Sequence, residues 1–315
     1  MLYSELKRSK FASLANGVQT LIDVLRRLVE QLEDEFSLVE PNQLRQRLEA
    51  LDRLEAYFPY GNAKAPITAD SIEQELYRRA SAVCARLEAA NCELYGSIRG
   101  EIQRGQQPDA LLRWVHPLPH SEDEDASGNG LGYDYLDELI SGVFQFEEPA
   151  AARISRDSEK VFYQPTPARY IFALLKMTAL TAADVLVDLG SGLGHVSLLA
   201  STCTHASSIG IESEAAYIDC ARRCAQRLNL RNKVTFIHQD ARQAHLSTGT
   251  VFYLYTPFTG SILSEVLHGL QHEAATRPIR ICSYGPCTSV IATEPWLKPA
   301  TTPHPNRIAL FHPRD

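Results

Sequence analysis

An acidic side chain and three regularly spaced glycines follow an apolar segment in the middle of the chain. The segment 185–196 reads VLVDLGSGLGHV, in which Asp188 precedes Gly190, Gly192 and Gly194. Glycine lets the backbone turn sharply and lets a ligand lie against it without a side-chain clash. An acid in this position stands at the carboxyl end of a strand, where open α/β sheets bind ligands. The pattern therefore predicts a strand, a ligand-binding loop and a helix, in that order.

Two further acids fall where neighbouring strands are expected to end. Glu212 closes the apolar run IGIE and lies 22 residues beyond Gly190, the spacing at which an acid can accept hydrogen bonds from ribose hydroxyls. Asp240 follows the next apolar run, 234–238, and precedes Ala241. A glycine triplet by itself is a weak signal. Together with acids at two more strand ends, it favours a nucleotide-like ligand.

Over about residues 160–315 the sequence resembles the class I, seven-stranded S-adenosylmethionine-dependent methyltransferases. The resemblance implies a doubly wound, Rossmann-like α/β sheet and S-adenosylmethionine as the cofactor. It also implies that the loop from Asp188 to Gly194 cradles the methionine part of the cofactor, that Glu212 binds ribose and that Asp240 contacts adenine. The cofactor-binding residues expected on this basis are Asp188, Gly190, Ser191, Gly192, Gly194, Glu212, Asp240, Ala241 and Thr166.

Other interpretations of the glycine loop stay open at this level. A nicotinamide-dependent oxidoreductase usually carries G-x-G-x-x-G and binds a pyrophosphate at the helix N-terminus, whereas this chain has G-x-G-x-G after Asp-x. If the chain were an α/β domain that binds no ligand, the glycine loop, Glu212 and Asp240 would all have to fall at these positions by coincidence. A protein that retains cofactor recognition but acts only as a binding module is not separated from an enzyme by these motifs.

The acceptor side of the reaction is less well defined. The segment Leu254-Tyr255-Thr256-Pro257-Phe258 is in register with the [D/N/S]-P-P-[Y/F/W] element of the family, whose first residue holds an amine beside the methyl donor. Pro257 and the aromatic Phe258 are kept, but Tyr255 and Thr256 replace the polar residue and the first proline. Methylation of a nucleobase amine is therefore disfavoured. Tyr255 is a candidate catalytic residue and Phe258 a candidate substrate-binding residue.

A second, shorter resemblance lies just before the first predicted strand. The segment 162–167, FYQPTP, is similar to the Tyr-x-Pro-Thr-Pro element of some seven-stranded protein-lysine methyltransferases. It makes Tyr163 a candidate catalytic residue and places Thr166 in the cofactor pocket. The alternative is that the two prolines only shape a helix entrance. Thr166 and Pro167 in any case read as the N-cap and first turn of a helix that runs to about Met177.

The chain divides into three predicted regions. Residues 1–116 form a helical bundle, because apolar residues recur at three- and four-residue spacings in three successive segments. Residues 117–130 are rich in acids, proline and glycine and form a linker or a lid over the active site. Residues 131–315 form the methyltransferase domain. Its strands are predicted near 185–188, 208–212, 234–238, 251–255, 279–284 and 308–312, the last one antiparallel.

The acidic helix that follows the linker contains Asp137. Acidic residues on such a helix usually form a solvent-exposed face, but here they are also placed to line the entrance to a substrate site. Asp137 is therefore a second candidate for substrate binding.

Charge and composition limit the possible partners. The 315 residues carry a net charge of −7, and residues 117–160 hold eleven acids against three bases, so the rest of the chain is close to neutral. Without a clustered basic surface, a nucleic-acid substrate is disfavoured.

No apolar stretch reaches the length of a membrane span, and a cytoplasmic location is expected. The seven cysteines are expected to be reduced structural thiols, and no metal site is expected. The expected partner is a protein or small-molecule substrate, while association of copies through the N-terminal helices stays open.

Overall fold

The computed structural model describes residues 21–58, 71–105, 108–115, 132–147, 149 and 163–314. The chain divides into two compact units, Met1–Gly96 and Ser97–Asp315. The division falls within a helix, 20 residues before the end of the predicted bundle at residue 116. Ile98 and Ile102, which continue the same helix, are buried and belong to the second unit. The predicted linker, 117–130, lies outside the described residues.

The described residues of the first unit form helices that pack on one another. Helix α1 covers residues 21–34, two short 3-10 turns follow at Phe36–Val39 and Pro41–Gln43, and α2 covers Leu44–Glu55. Helix α3 covers Ser71–Gln103 and continues into the second unit. The apolar stripes predicted from the spacing meet in one cluster that includes Leu25, Val29, Leu54 and Leu87. The three helices of the predicted bundle are therefore present. No helix among the described residues is both long and apolar enough to cross a membrane.

A seven-stranded sheet forms the centre of the second unit. The strands are β1 Val185–Leu189, β2 Ser207–Glu212, β3 Val234–His238, β4 Val251–Tyr255, β5 Arg280–Tyr284, β6 Leu297–Pro299 and β7 Ala309–Pro313. Their order across the sheet is β3-β2-β1-β4-β5-β7-β6. Strands β1 to β5 pair in parallel, and β7 is antiparallel to both β5 and β6. The predicted fold class and the antiparallel last strand are confirmed. Strand β6 was not predicted, because three residues are too few to show a periodic pattern.

The helices of the second unit are α4 Asp109–Leu112, α5 Tyr135–Phe144, α6 Ala168–Thr178, α7 His195–Cys203, α8 Ala215–Arg227, α9 Gly260–Ala274 and α10 Cys287–Ile291. Because side chains alternate along a strand, Val187 and Leu189 of β1 point to one face of the sheet, where they join a core cluster with α9 and α10. Helix α7 packs on β1 and β2, and all of its residues after His195 are buried. All seven cysteines are free, and all except Cys92 are buried. The core thus fixes the carboxyl ends of β1, β2 and β4 relative to one another.

The junction between α5 and α6 is held by one carboxylate. Asp137 accepts a hydrogen bond from the backbone N–H of Asp134 at 2.8 Å and another from the N–H of Ala168, also at 2.8 Å. It therefore caps the N-termini of both helices. The predicted cap at Thr166 is wrong: Pro167 occupies the N-cap position of α6, and no side chain of its own caps that helix. Asp137 supplies the missing acceptor from a different helix, a contact that local sequence does not show.

We predict that Asp137→Asn lowers the free energy of unfolding by about 1–3 kcal/mol, because an amide keeps only one of the two acceptor oxygens and turns its NH₂ group toward a backbone donor. Burial raises the pKa of the Asp137 carboxyl to about 6, so urea unfolding should be measured at about pH 8, where the group is ionised. Glu138→Gln is the matched control, because Glu138 is the exposed neighbour on the same helix. A destabilisation of Asp137→Asn no larger than that of the control would contradict the double cap.

Candidate active site

A cavity of about 500 Å³ opens at the carboxyl ends of β1, β2 and β4. This volume lies in the range of small-molecule sites. Ten of the residues singled out in the sequence line it: Tyr163, Thr166, Asp188, Gly190, Ser191, Glu212, Asp240, Ala241, Tyr255 and Phe258. Three others, Gly192, Gly194 and Asp137, are not part of the lining. Asp137 is instead occupied with the two helix termini described above.

The glycine loop is pressed between two other segments of the cavity wall. Gly190 and Gly192 both have positive φ angles, +86° and +51°. A Cβ on Gly190 would overlap Pro257, and a Cβ on Gly192 would overlap the ring of Tyr163. The glycines are therefore required by close approach as well as by backbone conformation. Gly194 lies at the N-cap of α7, where a side chain would meet the ring of Phe236.

Glu212 holds the glycine loop against the end of β2. Its carboxylate accepts hydrogen bonds from the backbone N–H of Gly192 at 3.0 Å and of Glu214 at 2.9 Å, and from the hydroxyl of Ser213 at 3.2 Å. The N–H groups of Gly190 and Ser191 bond to the carbonyl of Ile211 at 2.9 and 3.0 Å. A carboxylate has about four lone-pair sites, so Glu212 keeps capacity for ligand hydroxyls. The sequence indicated the ligand-binding role but not this second, structural one.

Asp188 is the most unusual group in the cavity. Its side chain lines the cavity and is only 4% exposed, yet no described residue donates a hydrogen bond to its carboxylate. Burial, together with the nearby charge of Glu212, raises the pKa of the Asp188 carboxyl to about 8. The neighbouring Ser191 hydroxyl is also buried and lacks a partner among the described residues. Both observations fit a ligand that brings hydrogen-bond donors and positive charge, as S-adenosylmethionine does through its ammonium, sulfonium and ribose hydroxyl groups.

Asp240 stands at the other end of the cavity, beyond β3. Its carboxylate caps the 3-10 turn Ala241–Gln243 by accepting from the N–H of Arg242 at 2.9 Å, and it pairs with the Arg242 guanidinium at 2.7 Å. These contacts fix the orientation of the carboxylate beside the cavity. Ala241 and Gln239 line the same end.

The end of β4 forms the opposite wall. Tyr255 is half-buried there, and its ring lies 4.7 Å from that of Tyr284, which in turn lies 4.5 Å from that of Tyr170. Burial raises the pKa of the Tyr255 phenol to about 12. This row of three rings holds Tyr255 in one orientation at the cavity edge.

The residue after Tyr255 has a strained backbone. Thr256 has a φ of +37°, which is costly for a β-branched side chain. Its N–H donates to the sulfur of Cys287 at 3.3 Å, while its hydroxyl accepts from the N–H of Cys287 at 3.1 Å. This reciprocal pair keeps the turn in a shape that brings Pro257 and Phe258 into the cavity lining.

Several lining residues were missed by the sequence analysis. Tyr253 is buried in β4, two positions before Tyr255 and thus on the same face, and its hydroxyl lies 3.0 Å from that of Thr166. The alternation along the strand could have indicated it. His195 and Tyr217, at the starts of α7 and α8, also line the cavity, but nothing in their spacing distinguished them. Within the described residues, no group of three His, Cys, Asp or Glu side chains is placed to hold a metal ion.

Comparison with known proteins gives one family match. The family model "Histone methylation protein DOT1" matches residues 155–249, which include the glycine loop and β1 to β3. A search of curated proteins found no match. Similar solved structures include an RNA methyltransferase from Salinibacter ruber (25% identity, 48% of this chain and 95% of that one, TM-score 0.40) and a precorrin-6y C5,15-methyltransferase from Geobacter metallireducens GS-15 (16% identity, 54% and 100%, TM-score 0.39).

We predict that the affinity for S-adenosylmethionine rises with pH up to about pH 8 and then levels off. The free enzyme holds a proton on Asp188 below its pKa of about 8, whereas a cationic ligand favours the carboxylate, so binding must release that proton. Calorimetry should show Kd falling by up to about tenfold per pH unit between about pH 6 and 8.

Asp188→Asn should remove this slope and weaken binding above about pH 8 by roughly ten- to a hundredfold, since a hydrogen bond to a charged group is worth about 1.5–3 kcal/mol. The ligand's own amino group titrates equally with the native enzyme and with Asp188→Asn. The difference between their pH dependences of Kd therefore reports on Asp188 alone. Glu265→Gln, at an exposed position on α9, serves as the control for loss of an acid. An unchanged slope in Asp188→Asn would exclude Asp188 as the titrating group.

The strand order argues against one alternative left open by the motifs, the nicotinamide-dependent oxidoreductase. Nicotinamide-dependent Rossmann domains commonly have the order 3-2-1-4-5-6, whereas here the antiparallel β7 lies between β5 and β6. The glycine loop, the unpartnered acid and the two acids that follow converge on a cavity that fits S-adenosylmethionine. The chain is therefore a class I, Rossmann-like S-adenosylmethionine-dependent methyltransferase.

Proposed function

We propose that the enzyme methylates the side-chain amine of a lysine in a protein, and that histones are the first substrates to test. The observation that carries the proposal is the end of β4, where the phenol of Tyr255 stands in place of the amide or carboxylate that would hold a nucleobase amine. The family model that matches residues 155–249 is described as a histone methylation protein, which supports the same substrate class.

The acceptor end of the cavity suits a long aliphatic amine. Tyr253, Tyr255 and Phe258 give it aromatic walls, and Pro257 adds an apolar surface beside the glycine loop. Such walls can pack along an alkyl stem, and a ring face attracts an ammonium by about 0.5–2 kcal/mol. A lysine side chain has both of these parts.

The protonation states in the cavity limit how the amine is activated. S-adenosylmethionine supplies an electrophilic methyl carbon, and the amine nitrogen must present a free lone pair to form the new N–C bond while the C–S bond breaks. Burial raises the pKa of the Tyr255 phenol to about 12, so at neutral pH this group stays protonated and can orient the amine but not deprotonate it. We infer that the amine gives up its proton to solvent before transfer, while alignment and desolvation supply most of the catalysis.

The substrate class is tested with tritiated S-adenosylmethionine. The enzyme is incubated separately with core histones, nucleosomes, total RNA and a small-molecule extract, and the labelled protein is hydrolysed to identify methylated amino acids. We expect label in methyllysine. Label confined to RNA or to the small-molecule fraction would overturn the proposed substrate, and Asp188→Asn provides the background rate.

We predict that Tyr255→Phe retains most of the turnover and that Tyr255→Ala loses most of it, because the ring supplies the wall and the cation-binding face. The measurement is kcat with the histone substrate, with the Kd for S-adenosylmethionine as the control that should stay nearly unchanged. If Tyr255→Phe lowers kcat by about a hundredfold instead, the hydroxyl orients the acceptor and the ring is secondary. Lowered melting temperatures with normal kcat in both variants would remove Tyr255 from the site.

A further inference from the structure

A partly buried hydrogen bond joins two aromatic residues on the wall of the cofactor cavity. The hydroxyl of Tyr163 lies 3.1 Å from Nδ1 of His195, and both residues line the cavity. The His195 ring is stacked on Phe146 with 3.7 Å between ring centroids. The Tyr163 ring covers the backbone of Gly192 and lies 4.9 Å from the ring of Tyr217. The imidazole and the phenol are thus each fixed by a ring contact in addition to the bond between them.

The two partners belong to different parts of the fold. Tyr163 precedes α6, whereas His195 is the first residue of α7, directly after the last glycine of the loop. Their hydrogen bond therefore ties the segment before α6 to the far end of the glycine loop. Besides this tie, ring packing and the nearby backbone N–H of Leu193 hold the phenol over Gly192. The position of that phenol defines one wall of the site that binds the cofactor.

His195 is poorly suited to act as a base. Burial lowers the pKa of its imidazole to about 3, and burial likewise raises the pKa of the Tyr163 phenol above its usual value. Both groups are therefore neutral across the physiological range. A neutral, fixed imidazole serves as a hydrogen-bond partner and not as a proton acceptor.

We propose that His195 is a positioning residue of the methyltransferase: through Nδ1 it holds the Tyr163 hydroxyl, so that the phenol ring closes the cofactor site over Gly192. The inference rests on the assigned cofactor and is independent of the identity of the acceptor. It gives a role to a histidine that no motif had indicated.

Four variants separate the hydrogen bond from the packing of the rings. His195→Phe keeps a ring against Phe146 but removes the nitrogen, whereas His195→Asn keeps a polar group near the position of Nδ1 and removes the ring. Tyr163→Phe deletes the same bond from the other side without changing the shape of the wall. The fourth variant combines His195→Phe with Tyr163→Phe. Ser201→Ala is the matched control, because it removes another buried side-chain bond, to Ser208 at 2.6 Å, from the same helix but away from the cavity.

The readouts are the Kd for S-adenosylhomocysteine, the KM for S-adenosylmethionine, kcat and the melting temperature. We expect His195→Phe and Tyr163→Phe each to raise Kd and KM about tenfold while kcat at saturating cofactor changes less than about threefold. The double variant should bind no more weakly than Tyr163→Phe alone, because Tyr163→Phe already lacks the bond to His195. His195→Asn should bind within about threefold of the native enzyme, and Ser201→Ala should lower only the melting temperature.

Three results would overturn the proposal. Additive losses in the double variant, about a hundredfold in total, would show that the two residues act separately. Binding by His195→Asn as weak as that of His195→Phe would show that the ring matters and the hydrogen bond does not. A pattern in which the His195 variants resemble Ser201→Ala, with normal affinity, would leave His195 a purely structural residue.

Discussion

The close approach of the glycine loop to its two neighbours is the constraint on which the rest of the site depends. The backbone at Gly190 and Gly192 lies so near Pro257 and Tyr163 that no side chain fits at either glycine. Each neighbour must in turn be held in place. Tyr163 is held by its bond to His195, and the turn that carries Pro257 is held by the contacts of Thr256 with Cys287. The cofactor end and the acceptor end of the cavity therefore share one wall.

The electrostatics of the cavity favour ligand binding over stability of the free enzyme. Asp188 and Glu212 place two acids close together, and only Glu212 receives hydrogen bonds from the loop. A buried acid without a donor destabilises the fold when it ionises, and this cost falls as a cation enters. Sites that break the rule of satisfied polar groups are often functional. Here the unsatisfied acid lies where the cationic cofactor must bind.

The sequence predicted the sheet and most of the cavity because both depend on local patterns. Apolar runs, turn glycines and strand-end acids fall at the right spacing, so the sequence alone predicts that Asp188, Glu212 and Asp240 lie at one edge of the sheet. The failures come from contacts between distant segments. Asp137, which the sequence placed on an exposed polar face or at a substrate mouth, caps α6 from another helix, and His195 gains its place only when Tyr163 lies beside it. No spacing rule describes such pairs.

The position of β7 has a consequence for the order in which the sheet forms. Strand β6 is at the edge of the described sheet and pairs only with β7, which follows it in the chain. Strand β1 likewise needs β4, which is made after β2 and β3. The pairing of β1 with β4 closes a long loop, and such non-local pairings slow folding. A ribosome must therefore release nearly all of this unit before the sheet is complete, and a chain cut before Ala309 would leave both β5 and β6 without the neighbour that joins them.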